Sequence, residues 1–147
     1  MAKKSRSKKV KEKKESIKKV QSRLWVLCKL LTRKKYANPD GSWDCYTCNR
    51  NITYGGDAHT AHMIPKGACG ASLRYDLRNI RVCCYHCNIN LGGNGANFVR
   101  NMIIREGQEY VDSIFADRAL IIKAYDHYQM LSEKYKLMLE DLNAQHV

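Results

Sequence analysis

Two pairs of cysteines have the spacing of metal ligands. Cys45 and Cys48 form one C-x-x-C pair, Cys84 and Cys87 form a second, and 35 residues separate the pairs. Each such turn presents two thiolates to one tetrahedral ion, so two turns complete a closed structural zinc site. The chain has seven cysteines, an odd number, and no export signal, which argues against a disulfide framework. We therefore predict one structural Zn²⁺ that supplies folding free energy.

The second cysteine pair has an alternative assignment. Cys83 and His86 also have the spacing of a C-x-x-H pair. We prefer Cys84 and Cys87 because their spacing repeats that of the first pair, and we interpret His86 as an exposed spacer. Two further cysteines are not expected to bind metal, because one adjoins the apolar face of a helix and the other lies in a glycine-flanked loop: Cys28 and Cys69.

The insert between the two pairs contains residue types suited to phosphodiester hydrolysis. His62 follows small residues typical of a strand, Asn79 precedes an apolar run, and Asn88 directly follows the last cysteine. A neutral imidazole can accept a proton at physiological pH, and an amide oxygen suits a hard cation such as Mg²⁺. Hydrolysis of a phosphodiester needs a base that deprotonates the attacking water and a cation that stabilises the charge on the leaving oxygen.

The order of these segments resembles the HNH, or ββα-metal, nuclease signature in its HNN form, with His62, Asn79 and Asn88 as the three positions. It is similar in more detail to the lambdoid-phage NinG/Rap recombination endonucleases. The resemblance covers about residues 20–115 and rests on these segments: 24–31, Cys45/Cys48, 61–64, 75–80, 84–88, 91–94 and 107–111. It implies that His62 is the general base and that the carbonyl or side chain of Asn79 holds the other ring nitrogen of His62.

The resemblance also implies a second, catalytic ion, Mg²⁺ or Mn²⁺, bound by Asn88. Many HNH nucleases have an Asp or His ligand directly before the general base, but Ala61 occupies that position here. Strand alternation would place Asp57, His59 and Ala61 on one face and His62 on the other. We therefore predict His59 as the substitute ligand, with Asp57 as the next choice.

Positive charge is concentrated in the first quarter of the chain. Residues 1–36 contain 15 Lys/Arg and two Glu, a net charge of +13, whereas residues 37–147 have a net charge of −1. Such a basic segment beside a neutral body indicates binding to nucleic acid through phosphate contacts, and a solvated tail is the alternative. The predicted DNA contacts, for each of which plain surface charge is the alternative, are Lys18, Lys19, Arg23, Arg74, Arg78 and Arg81.

Apolar periodicity predicts the helices that flank this site. Spacings of three and four predict a helix that starts at Ile17 and ends near residues 33–36, with these apolar positions: Ile17, Val20, Leu24, Leu27 and Leu31. A second helix should begin after Asn94 and end near Gly107. A third is predicted from about Val111 to Asn143, with this seam: Ile121, Ala124, Tyr128, Leu131, Tyr135, Met138 and Leu142. The first and last helices either pack on each other within the chain, or the last also pairs with its copy in a homodimer.

We thus expect an α+β fold in which a small zinc-stabilised ββα-metal (HNH) domain lies between a basic N-terminal helix and a long C-terminal helix. The predicted divisions are a basic arm (1–20), the nuclease domain with its leading helix (21–110) and the C-terminal helix (111–147). No apolar run approaches the about 20 residues of a membrane span, and no secretory signal is recognisable, so we expect neither a membrane partner nor export.

By resemblance the function is a metal-dependent endonuclease selective for branched DNA, such as Holliday junctions and D-loops, acting in the cytoplasm of a bacterial host. Two alternatives remain open. One is a less selective HNH nicking endonuclease, and the other is a zinc-dependent DNA-binding protein without catalysis.

Overall fold

The computed structural model describes residues 14–118 and 123–145, and in these ranges the fold is α+β, as predicted. The helices are α1 (Ile17–Tyr36), α2 (Gly70–Arg74), α3 (Gly95–Glu106), α4 (Gln108–Asp117) and α5 (Ala124–Ala144). The strands are β1 (Trp43–Asp44), β2 (Asn51–Ile52), β3 (Ala58–His62) and β4 (Ile80–Cys84). Among these helices, none combines the length and the apolar character that crossing a membrane would require. Residues 1–13 of the predicted arm lie outside the described residues.

The predicted N-terminal helix is confirmed as α1. Its first turn is capped by Ser16, whose hydroxyl accepts a hydrogen bond from the backbone N–H of Lys19. The predicted apolar face is buried from Val20 to Leu31, whereas Ile17 at the start of the helix is exposed. Cys28 is fully buried beside this face, as predicted for a small apolar residue.

The prediction of one helix from Val111 to Asn143 is wrong. α4 ends at Asp117, and α5 begins at Ala124 after the extended residue Lys123. The seam residue Ile121 lies outside the described residues, and the predicted boundary after residue 110 falls inside α4. The apolar spacing continues in phase on both sides of the break, so periodicity alone could not reveal it.

α5 packs on α1 within the chain, which confirms the first of the two arrangements considered above. The buried residues of this contact include Tyr128, Leu131 and Tyr135 on α5. The hydroxyl of Tyr135 donates a hydrogen bond to the carbonyl of Tyr75 at 2.7 Å. Because these seam positions are already covered, a homodimer would have to use other surface, and it stays a prediction.

The β3–β4 pair lies in a second hydrophobic cluster, separate from the one between α1 and α5. The strands are antiparallel, with Ala58 opposite Cys84 and His62 opposite Ile80. All five residues of β4 are buried, and α3 and α4 cover this region with apolar side chains, among them Phe98 and Met102. The helix predicted after Asn94 is therefore confirmed. Its apolar side chains pack in the same cluster as β4, the strand that ends at the cluster residue Cys84.

Candidate functional site

The four predicted zinc ligands lie together. The Sγ atoms of Cys45, Cys48, Cys84 and Cys87 are all within 4.8 Å of one another. The first two belong to the turn between β1 and β2, Cys84 ends β4, and Cys87 lies in a short π-helical turn, His86–Asn90. This cluster could hold a metal such as zinc, because four cysteine thiolates are one of the ligand sets of closed structural zinc sites.

Backbone hydrogen bonds to sulfur favour the thiolate form of the cluster, which is the form that binds metal. The backbone N–H of Cys84 donates to the Sγ of Cys45 at 3.2 Å, and the N–H of Cys87 donates to the Sγ of Cys84 at 3.4 Å. A hydrogen bond from the Cys83 thiol is the main cause that lowers the pKa of Cys45 well below its ordinary value. The group of close sulfur atoms includes Cys84 and Cys87 but not Cys83, which agrees with the preferred pair, and binding of zinc by these four cysteines stays a prediction.

His62 and Asn88 line one cleft of about 490 Å³. One wall is the N-terminal half of α1, and the opposite wall consists of β3, the loop before α2 and the π-helical turn. Asn88 projects from that π-helical turn. The other lining residues are Lys18, Gln21, Ser22, Trp25, Thr60, Ala61, Lys66, Arg74 and Tyr75.

Two contacts orient the imidazole of His62. Its Nε2 lies 2.7 Å from the carbonyl oxygen of Arg74, and its ring stacks on Trp25 with centroids 5.3 Å apart and planes 9° from parallel. A carbonyl can only accept, so in the neutral ring Nε2 carries the proton and Nδ1 is the nitrogen that can accept one. The predicted hydrogen bond from Asn79 to this ring is not formed, because the Arg74 carbonyl takes its place.

The surroundings of His62 favour the neutral imidazole. Burial is the largest effect that lowers its pKa below the ordinary value of 6.5, and the positive charges of Lys66 and Arg74 lower it further. The hydrogen bond to the Arg74 carbonyl raises the pKa but does not offset the other effects. His62 is therefore uncharged, and able to accept a proton, at physiological pH.

Asn79 is fully buried and bonds to backbone on two sides of His62. Its Oδ1 accepts from the N–H of Ile64 at 2.8 Å, and its Nδ2 donates to the carbonyls of Ile64 and Leu73 at 3.2 and 3.4 Å. Its own carbonyl accepts from the N–H of Met63 at 2.9 Å. Asn79 thus joins the segment after His62 to the residue before Arg74, whose carbonyl holds the imidazole.

His59 and Asn88, the two predicted ligands of the catalytic ion, are in contact. The Nδ2 of Asn88 lies 3.1 Å from the Nδ1 of His59, and the Tyr85 ring packs edge-on against His59 at 5.4 Å. Asp57 is not on the strand face where alternation placed it, since it ends a 3₁₀ turn, Gly55–Asp57, before β3 begins. Ala61 is buried and contributes no ligand atom.

The prediction that Arg81 contacts DNA is corrected by its burial. Only 1% of Arg81 is exposed, and its guanidinium donates to the carbonyls of Leu77 and Ile80 at 3.1 and 2.8 Å. Its charge is balanced by Glu106 at 3.4 Å and by surrounding tyrosine rings. Arg81 therefore stabilises the core beneath β4 and cannot reach a phosphate.

The other predicted DNA contacts divide into two groups. Arg23 pairs with Glu15 at 2.7 Å, and Arg78 pairs with both Asp76 and Asp117 at 2.6 Å, so their charges are largely neutralised within the chain. The second group consists of cations that line the cleft or lie on the exposed surface of α1 beside it: Lys18, Arg74 and Lys19.

Sequence reasoning missed Trp25, Lys66 and Tyr75 as parts of the cleft. Trp25 lies on α1 outside the predicted apolar face, and its spacing carries no signal for contact with His62. Lys66 could have been predicted, because it lies four residues after His62 and a cation close to a candidate base is a candidate phosphate contact.

A family model described as "Bacteriophage Lambda NinG protein" matches residues 1–145. This family is associated with phage recombination, so the NinG part of the sequence resemblance is confirmed. The comparisons find no matching curated protein and no matching solved structure.

Proposed function

Because the chain belongs to the bacteriophage lambda NinG family, we propose that it is a metal-dependent DNA endonuclease of the HNH, or ββα-metal, type. The observation that carries the proposal is the shared cleft of His62 and Asn88. These residues belong to different elements, since His62 ends β3 and Asn88 lies in the π-helical turn directly after the cluster residue Cys87. The order of β3, β4 and the helical turn that carries Asn88 also supports a ββα-metal arrangement.

His62 is the proposed general base. Its Nδ1 would accept the proton of a water molecule that attacks the scissile phosphorus, while Nε2 stays bonded to the Arg74 carbonyl. Trp25 and Asn79 act as positioning residues, since Trp25 fixes the plane of the ring and Asn79 fixes the backbone around it. In this role Asn79 does not touch the substrate.

Asn88 and His59 would hold the catalytic cation. An amide oxygen suits Mg²⁺ or Mn²⁺, and an imidazole nitrogen is compatible with Mn²⁺. When bound, such an ion would stabilise the negative charge that develops on the leaving oxygen. Lys18, Lys66 and Arg74 give the cleft a positive potential that attracts the DNA backbone.

The cysteine cluster has a structural role in this proposal. Zinc held by four cysteines leaves no open coordination position for water or substrate. The cluster connects the β1–β2 turn with the end of β4 and with the π-helical turn. It therefore positions Asn88, which directly follows the ligand Cys87.

The proposed substrate is branched recombination DNA, such as Holliday junctions and D-loops. The family's link to phage recombination supports it. Comparing cleavage rates on a four-way junction, a D-loop, a flap and linear duplex tests this selectivity. Similar rates on all four would instead favour a less selective HNH nicking enzyme.

Substituting Asn88 tests the proposed ion site. We expect Asn88→Ala to reduce cleavage by at least tenfold and to raise the Mg²⁺ concentration needed for half-maximal rate, because a ligand is lost. Asn90→Ala is the matched control, since Asn90 lies in the same turn and bonds only to His86 among the described hydrogen bonds. Equal Mg²⁺ dependence for Asn88→Ala and wild type would contradict the assignment.

The alternative of a DNA-binding protein without catalysis is favoured by Ala61, a buried residue where many HNH nucleases have a metal ligand. Wild-type protein that binds branched DNA but fails to cleave it with Mg²⁺, Mn²⁺ or Zn²⁺ would establish this alternative.

A further inference from the structure

A second pocket, of about 290 Å³, lies at the opposite end of the β3–β4 pair from His62. It is lined by the β1–β2 turn, by β2 and the 3₁₀ turn after it, and by the residues that follow β4. Two tyrosines in its lining, Tyr54 and Tyr85, are exposed to solvent. Neither belongs to the proposed catalytic site.

Tyr54 is held in place although it is 71% exposed. One side of its ring lies against Gly56, so closely that a Cβ atom at Gly56 would be 2.5 Å from the nearest ring carbon. The glycine therefore allows the ring to rest on backbone, and most of its surface remains in contact with water. An aromatic ring that is supported on one side and open on the other can stack with a nucleobase.

Tyr85 connects this pocket to the proposed ion site. It is 49% exposed, and its ring packs edge-on against His59, which is hydrogen-bonded to Asn88. A DNA strand with a phosphate near Asn88 would thus have its neighbouring nucleotide close to Tyr85. Asn88 lines the cleft and Tyr85 lines the second pocket, so the contacts of both residues with His59 link the two.

The polar groups of the pocket match a base attached to a phosphate backbone. Arg50 is an exposed cation that can contact phosphate, and the Asp57 carboxylate can accept a hydrogen bond from an exocyclic amino group. In a duplex each base is stacked between its neighbours, so its face is not open to an aromatic side chain such as Tyr54. The pocket therefore fits a base that is not paired.

We propose that the pocket of Tyr54, Tyr85, Arg50 and Asp57 binds an unpaired nucleobase next to the phosphate held in the cleft. This inference rests on the proposed function, because it assumes that DNA occupies the cleft. It adds a contact that would distinguish DNA with unpaired bases at a branch point from fully paired duplex.

Fluorescence of 2-aminopurine tests the pocket without requiring cleavage. The probe base is placed at an unpaired position beside a branch point, and binding is measured in buffer without added Mg²⁺ and without chelator, so that any zinc is retained. We expect wild type to quench the probe by stacking. Tyr54→Ala should remove most of the quenching and weaken binding about tenfold, the scale expected for one stacked base.

Two control variants separate stacking from folding. Tyr54→Phe keeps the ring and should retain both quenching and affinity. Gly56→Ala leaves Tyr54 in the chain but forces its ring to move, so it should reduce the quenching as Tyr54→Ala does. Both tyrosine variants should bind fully paired duplex as tightly as wild type.

The inference is overturned if Tyr54→Ala matches wild type on the probe DNA, or if it weakens binding to paired duplex equally. In either case wild-type cleavage would leave the proposed function standing. Wild type that binds no DNA at all would overturn the proposed function, and this inference with it.

Discussion

At His62, contacts from outside its strand decide which ring nitrogen can act as a base. The Arg74 carbonyl accepts from Nε2, and Trp25 of α1 limits rotation of the ring. Burial and two nearby cations keep the pKa of the imidazole below 6.5. The site therefore contains a neutral histidine whose Nε2 is hydrogen-bonded to the Arg74 carbonyl and whose Nδ1 can accept a proton.

The lowered pKa of His62 predicts the pH dependence of cleavage. The neutral ring is the active form, so the rate should fall as the ring becomes protonated, with a midpoint below pH 6.5. Folding stability should change in the same direction, because the lower pKa of His62 in the folded protein means that protonation favours the unfolded chain. The stability that the neutral ring contributes is full above pH 6.5 and is lost as the pH falls through the lowered pKa. Rate–pH profiles and an NMR titration of His62 measure both effects.

A half-maximal rate near or above pH 7 that coincides with the NMR titration of His62 would contradict this prediction. Trp25→Leu should move the titration of His62 toward its ordinary value, since the ring gains access to water.

The residues that could be predicted from sequence are those whose order along the chain forms a motif. His62 and Asn88 were found in this way. Trp25, Lys66 and the Arg74 carbonyl were not, because their roles depend on how α1 and the loop before α2 pack against β3. Asn79 was identified, but its hydrogen bonds go to backbone and not to the imidazole.

Among the elements, the two C-x-x-C turns bear most directly on folding. β1 and β2 have two residues each, too few to hold the turn between them in place by their own pairing. The hydrophobic cluster around them contains Cys45, Cys84 and Cys87 themselves. A bound metal would therefore replace packing that the short strands cannot supply.

Cys45→Ser should lose bound zinc and most of the cooperative thermal unfolding transition, because one of four ligands is removed from the cluster. Zinc content by atomic absorption and unfolding by circular dichroism measure the two effects. Cys69→Ser is the matched control, since Cys69 is equally buried but lies outside the cluster. Stoichiometric zinc and an unchanged melting transition in Cys45→Ser would show that the cluster is not the metal site.

Element prediction succeeded where apolar spacing and burial coincide, as in α1 and α3. It failed between α4 and α5, where the apolar spacing stays in phase although one helix ends at Asp117 and the next begins at Ala124. Two tyrosines of the predicted seam, Tyr128 and Tyr135, pack around Tyr75, and the hydroxyl of Tyr135 donates a hydrogen bond to the carbonyl of Tyr75.

At the scale of the whole molecule, most of the net positive charge lies in a different part of the chain from His62 and Asn88. Residues 1–13 carry seven Lys/Arg and one Glu, whereas residues 37–147 are near neutral. The first described helix leads from this segment along the wall of the cleft, where Lys18 lies. The basic segment should add affinity for any DNA without adding preference for a sequence.

Removal of residues 1–13 should weaken DNA binding and reduce its dependence on salt. Each lost phosphate contact lowers the slope of log affinity against log salt concentration by about 0.9 for duplex DNA. The cleavage rate at saturating DNA should be unchanged, because no residue of the cleft is removed. An unchanged salt slope would show that the segment does not contact DNA.

The most direct test of the central claim is cleavage of a four-way junction by His62→Ala in Mg²⁺, measured beside wild type and His127→Ala, a histidine variant on α5 outside the cleft. Loss of a general base typically costs about 10²–10⁴-fold in rate. We predict a loss of this size for His62→Ala alone, with zinc content and junction affinity unchanged. Equal cleavage by His62→Ala and wild type would contradict the account.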